Sequence, residues 1–178
     1  MIYDRRAARR YARAFVHEKA DKDKIALLSE EIAALVRVIE SDRDIEEFFL
    51  SPINPKEVKL KVVGKIIKKL EFSSYTQTLL KLLIDKDRIA IISSVAEEIR
   101  EISDRLNDRV RVSLTTAYEP SVDEIGELSE RIGKYFDRKA VVERKIDSSI
   151  IGGFVLEGEG KLIDMSIKGQ IKKILSKV

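Results

Sequence analysis

"RVRVSLTTAYE", residues 109–119, is where the periodicity of the chain changes. Val110, Val112, Leu114 and Thr116 alternate with Arg109, Arg111, Ser113 and Thr115, the two-residue repeat of a strand with one buried face. Upstream the period is helical: Ile25, Leu28, Ile32, Leu35 and Ile39 step by three and four, as do Ile92, Val95, Ile99, Ile102 and Leu106. Downstream, "SVDE" has capping-box spacing and opens a helix from about Val122 to Phe136, with Ile125, Leu128, Ile132 and Phe136 inward. The chain therefore divides into an N-terminal helical bundle over 1–106 and a small C-terminal α/β domain over 107–178. The fold class is α + α/β with a short mixed sheet.

Six short helices are expected in the first unit. The first runs from Asp4 to about Lys19, with Ala7, Tyr11, Ala14 and Phe15 on one stripe and His17 an ordinary member. The third, from about Asp42 to Leu50, should bury Ile45, Phe48 and Phe49. The fourth begins at "NPKE", with Asn54 as N-cap, Pro55 at the first helical position and Glu57 closing a capping box. Its apolar positions include Val58, Val62, Val63, Ile66 and Ile67. Ser73 or Ser74 caps a fifth helix through about Asp85. After Ala140, two or three strands reach Asp164, and a final helix spans about Ser166 to Lys177.

Composition narrows the chemistry. The 178 residues include no Cys, no Trp and one His, which removes thiolate chemistry, disulfides and multi-His metal sites from consideration. Hydrophobic content of 44% supports a packed core, and 34 basic against 31 acidic side chains leave a net charge of only +3. No run approaches the roughly 18–20 apolar residues of a membrane span, so a soluble protein is expected. Asn and Gln occur twice each amid abundant Lys, Glu, Arg and Ile, a composition expected of a heat-adapted protein.

Five of the eight glycines lie in "SIIGGFVLEGEGKLIDMSIKGQIKKIL", which invites a phosphate-loop reading. Aligning Gly160-Lys161 with a Walker loop puts Val155 where the first Gly belongs and Leu162 where Ser or Thr must hold magnesium. The dinucleotide pattern fails at Ile163, and Glu157 and Glu159 would repel phosphate. The glycines are instead read as structural, with Gly158 and Gly160 in a hairpin turn and Gly152 and Gly153 at a bulge or close approach. No cofactor and no metal is expected.

The same stretch carries a resemblance. "D-x-S-x-I-G-G-F-x-L-x-x-x-x-x-L-I-D-x-S-I-x-x-x-I", Asp147 to Ile171, is similar to the C-terminal signature of F-type ATP synthase delta subunits. The mitochondrial equivalent is the oligomycin-sensitivity-conferring protein. "RRYARAF" (9–15), "LLKLLIDKDRIAII" (79–92) and "VRVSLTTAYEPSVDEI" (110–125) resemble other segments of that family in the same order. The resemblance implies six N-terminal helices before an α/β domain, and a non-catalytic role in the peripheral stalk. It implies one copy in a hetero-oligomer at the cytoplasmic face of the membrane, without membrane insertion and without nucleic acid. The partners it implies are the N-terminal segments of alpha subunits and the C-terminal end of the b subunit. The stator so formed couples ion-driven rotation to ATP synthesis.

The family's alpha-subunit groove lies between its first and fifth helices. The matching positions are Ala7, Tyr11, Ala14 and Phe15 with Tyr75, Thr78, Leu79, Leu82 and Leu83; taken singly each reads as bundle core, while the pair of helices together is expected to carry an exposed groove. In the second unit Lys168, Lys172, Lys173 and Lys177 are either a contact for the b subunit or a solvated face. The Arg-rich first helix (Arg5, Arg6, Arg9, Arg10, Arg13) carries the alternative of a small RNA- or ribosome-associated binding protein, against the reading as a solvated face.

Overall fold

A computed structural model describes residues 4–16 and 21–175. His17, the expected helix end at Lys19, and Lys177 lie outside the described residues. The chain divides into two compact units, 1–103 and 104–178.

The first unit contains α1 (Arg5–Phe15), α2 (Lys22–Glu40), α3 (Arg43–Leu50), α4 (Lys56–Lys69), α5 (Ser74–Asp85), a 3-10 turn at Ile89–Ile91, and most of α6 (Ile92–Leu106). The α2 stripe of Ile25, Leu28, Ile32, Leu35 and Ile39 is completely buried, and Leu79, Leu80, Leu83, Ile92, Val95 and Ile99 join it in the core. α2 packs on α3 and α5, and α4 on α5.

The ends of the helices are set by side chains, though not always those that local rules select. Ser73 caps α5, its hydroxyl accepting from Thr76 N. The buried Glu31 carboxylate of α2 accepts from Ser73 N at 2.8 Å, from Ser73 Oγ at 2.7 Å and from the Thr76 hydroxyl. One carboxylate thereby ties the start of α5 to the middle of α2. The cap expected at "NPKE" is absent: α4 starts at Lys56 after Pro55, with no side-chain cap. The Asn54 amide donates instead to Phe48 O at 2.9 Å, and Lys59 Nζ to Ser51 O at 2.8 Å. Both satisfy carbonyls left open where α3 ends, a tertiary demand that overrides the local motif. Val58 is exposed and Lys59 is the buried member of that turn. In α3 only Phe49 is fully enclosed, while Ile45 and Phe48 are half-buried.

The second unit holds β1 (Arg109–Thr116), α7 (Val122–Phe136), β2 (Lys139–Ile146), β3 (Phe154–Gly158), β4 (Lys161–Asp164) and α8 (Ile167–Leu175). The sheet order is β2-β1-β3-β4, parallel between β1 and β2 and antiparallel elsewhere. The alternation in β1 is realised as expected: Val110, Val112, Leu114 and Thr116 are buried, and Ile132 and Leu156 complete the core cluster with the first three. The Ser121–Glu124 capping box opens α7. On the opposite face of β1, Arg111 binds Asp104 through Nε at 2.7 Å and Nη2 at 3.1 Å, and reaches Glu143 at 3.1 Å.

The glycines are structural, but their roles divide differently. Glu159 and Gly160 form the two-residue turn, both with positive φ (52° and 73°). Gly158 is not a turn residue. It pairs with Lys161, and a Cβ there would lie 2.7 Å from Val112 Cγ1 and 2.9 Å from Arg111 O. Its requirement is close approach to β1. Gly153 has φ +73°, and its missing Cβ leaves room for the Met165 carbonyl; at Gly152 a Cβ would sit 2.9 Å from Ile167 Cδ1. Ser166 Oγ accepts from Gly169 N at 2.9 Å to start α8, and Asp164 in turn accepts from Ser166 N and Oγ.

Candidate functional site

α1 is short, starts at Asp4, whose carboxylate accepts from Ala7 N at 3.0 Å, and lies inward on its smallest residues. Ala8 and Ala12 are fully buried and Ala7 nearly so, which lets the backbone approach its neighbours closely. The stripe expected from sequence is rotated from this inner face. Tyr11 and Phe15 are half-buried and Ala14 is exposed.

On α5 the expected face also splits. Leu79 and Leu83 have no exposure and belong to the core, whereas Tyr75 and Leu82 are half-buried and Thr78 is exposed. The Thr78 hydroxyl donates to Ser74 O at 2.9 Å within its own helix, so that end of the side chain is satisfied internally. α1 and α5 meet through an aromatic pair. The Phe15 and Tyr75 ring centroids are 4.6 Å apart, and Tyr75 Oη donates to Phe15 O at 2.8 Å. Burial raises the Tyr75 pKa, so the phenol stays a donor at neutral pH. Six of the nine positions, Tyr11, Ala14, Phe15, Tyr75, Thr78 and Leu82, thus keep accessible surface along this pair.

A second signal in α1 is its arginines. Arg5 Nε and Arg9 Nε donate to the buried Glu98 of α6 at 3.1 and 3.2 Å, and Arg5 Nη2 reaches Glu101 at 2.9 Å. Burial pushes the Glu98 carboxyl up, but the hydrogen bonds and charges of Arg9 and Arg5 outweigh it, and its pKa lies below the ordinary value. Two of the five arginines therefore clamp α1 to α6, and the stripe is not a free basic surface.

In the second unit Lys168, Lys172 and Lys173 are exposed on α8. Lys168 Nζ lies 3.3 Å from Ser149 Oγ, and Lys173 Nζ lies 3.4 Å from Asp164 O. Sequence reasoning missed the surface beside them. Ile167, Ile171, Ile174 and Leu175 recur at helical spacing, yet all are exposed, and only Gly169 of α8 is buried. Ile151 adds to this: it is 64% exposed and holds φ +72°, a conformation unfavourable for a β-branched residue. The spacing in "IKGQIKKIL" was the available signal.

Among the described residues no three acidic or His side chains group as a metal site, and no helix is long and apolar enough to cross a membrane. The model of the ATP synthase delta (OSCP) subunit family matches residues 7–178. ATP synthase subunit delta of Syntrophus aciditrophicus (strain SB) is 34% identical over 168 residues, covering 94% of this chain and 92% of the relative. That of Rickettsia peacockii (strain Rustic) is 33% identical over 145 residues, 82% of this chain and 79% of the relative. Among solved structures, a chain of the Toxoplasma gondii mitochondrial ATP synthase hexamer matches with a TM-score of 0.72 over 96% of both chains, at 19% identity, a likeness of fold. With nearly its whole length matched by the family's model, the chain belongs to the ATP synthase delta (OSCP) subunit family.

Proposed function

We propose that this protein is a peripheral-stalk subunit of an F-type ATP synthase, a non-catalytic link between the catalytic head and the b-subunit stalk at the cytoplasmic face of the membrane. The family match over residues 7–178 carries this reading. A stator must resist the torque of the rotor, so its function resides in surfaces that grip two partners at once. In this reading the six helices of the N-terminal bundle receive an N-terminal alpha-subunit segment along α1 and α5, and the C-terminal domain receives the end of the b subunit on α8.

The apolar surface left on Tyr11, Ala14, Phe15, Tyr75, Thr78 and Leu82 supports the first assignment, because amphipathic helices dock through such stripes. The exposed isoleucines of α8 flanked by Lys168 and Lys172 support the second, suiting a helix with apolar and acidic positions.

Titration of the full chain with an N-terminal alpha-subunit peptide tests the head contact. Leu82→Glu should keep the fold, since Leu82 is only half-buried, and should weaken the peptide about tenfold or more. Unchanged affinity in the folded variant would remove α5 from the contact. Salt-sensitive RNA binding in place of peptide binding would favour a nucleic-acid role instead.

A further inference from the structure

Two helices each carry a net +5: α1, whose Arg5 and Arg9 are held by Glu98, and α4. α4 carries six lysines (56, 59, 61, 65, 68 and 69) against Glu57, a net +5. The whole chain is +3, so the remainder is 3 − 5 = −2. Lys56 pairs with Asp87 at 2.6 Å and Lys59 is buried against Ser51 O. Lys61, Lys65, Lys68 and Lys69 have no acidic partner among the described residues.

Three of these border a groove. Lys61, Gly64, Lys65 and Lys68 fall at i, i+3, i+4 and i+7, one face of the helix. With Ile67 and Phe72 they line an open groove of about 620 Å³ that runs to Gln77 of α5, Glu71 being the acidic residue at its edge. At its centre a Cβ on Gly64 would meet nothing within 4 Å. Glycine inside a helix is destabilising relative to alanine, and no neighbour among the described residues requires it here. Gly126 of α7 is equally uncrowded, but the groove beside α7 is lined by Glu124, Ile125, Glu127 and Leu128 and not by Gly126. The notch, the apolar floor and the lysine rim coincide on α4.

We propose that this α4 groove is a second docking site, separate from the α1–α5 face, for an acidic amphipathic polypeptide segment. An apolar side chain of that segment seats over Gly64 between Ile67 and Phe72, and its carboxylates meet Lys61, Lys65 and Lys68. The inference rests on the chain being a subunit of a larger assembly. A concave apolar floor discriminates for a protein segment: nucleic-acid phosphates or a lipid surface would use the lysines without the notch.

The probes are overlapping peptides of about 20 residues covering the other subunits of the same organism's synthase. The readout is the backbone amide resonance of residue 64 in the full-length 20.3 kDa chain. An acidic peptide should shift this resonance. K61E/K65E/K68E should weaken that peptide by about tenfold or more, with a shallower salt dependence. Gly64→Leu should weaken it comparably while leaving the melting temperature unchanged or higher, an effect that lost folding cannot produce. Peptides that bind only at Tyr11 and Leu82 would overturn this site and leave the stalk assignment standing. Absence of binding anywhere would overturn both. An equal response of Gly64→Leu and the parent chain, or Gly64 shifts produced by anionic vesicles and by no peptide, would also overturn the site.

Discussion

Replacing Glu98 by Gln should release α1 ahead of the rest of the helical unit. The Glu98 side chain is 4% exposed, while those of Arg5 and Arg9 are 54% and 47% exposed. A hydrogen bond to a charged group contributes about 1.5–3 kcal/mol. Both arginines rehydrate freely once released, so the pair together should be worth about that amount rather than twice it. At 1.36 kcal/mol per tenfold, this means roughly 10- to 150-fold faster amide exchange across α1. Hydrogen exchange on the full chain suits the question better than a global melt, because two compact units need not unfold as one. α2, whose stripe is fully buried, serves as the internal reference. The pH dependence gives a second arm. The folded pKa of Glu98 is lowered, so its contribution is present above the unfolded carboxylate value and is lost as pH falls through the folded one. Acid should therefore loosen α1 in the parent chain more than in Glu98→Gln. Equal α1 exchange in the two proteins at neutral pH would refute the clamp.

Two further substitutions examine the packing that positions the surfaces. Glu31→Ala removes the acceptor for Ser73 N, Ser73 Oγ and the completely buried Thr76 hydroxyl, and should destabilise by about 2–4 kcal/mol in thermal denaturation; adding Thr76→Val should recover part of the loss. Gly158→Ala drives a methyl group against Val112 and the Arg111 carbonyl and should destabilise the α/β unit by about 1–3 kcal/mol, read from exchange in β1 and β3.

Where sequence and structure part company, the cause is tertiary. The alternation in β1 was legible because a strand over one core repeats every two residues regardless of its neighbours. α7 was legible because Ser121 and Glu124 complete their cap within four residues. The inner face of α1 was not legible: apolar periodicity weights Tyr11 and Phe15, whereas Ala8 and Ala12 are the residues enclosed, because small side chains permit close approach. Asn54 followed a demand from α3 that lies outside its own motif. Gly158 looked like a turn residue because its true constraint, the adjacent β1, depends on strand order. Of the positions proposed for α1 and α5, Leu79 and Leu83 proved to be core, so a charged residue at Leu79 would report on folding and not on binding.

The same pattern on two helices has opposite outcomes, and that contrast is what supports α8 as the proposed second grip. On α2 the apolar residues stepping by three and four are all enclosed. On α8, Ile167, Ile171 and Ile174 step by four and three and are 45%, 46% and 65% exposed. A stripe that nothing in the described chain covers is the surface the proposed stalk partner would bury. The two cases make separable predictions. Ile32→Glu buries an unpaired charge in a core position and should abolish folding of the helical unit. Ile171→Glu should destabilise by no more than about 1.5 kcal/mol, since the side chain is 46% exposed and only about half of its transfer free energy is realised in the free protein. It should nevertheless weaken binding of a C-terminal b-subunit peptide about tenfold or more, measured by titration of the full chain. If Ile171→Glu unfolded the α/β unit, the stripe would be part of the core after all. If it folded and bound the peptide normally, α8 would not be the face that meets the stalk.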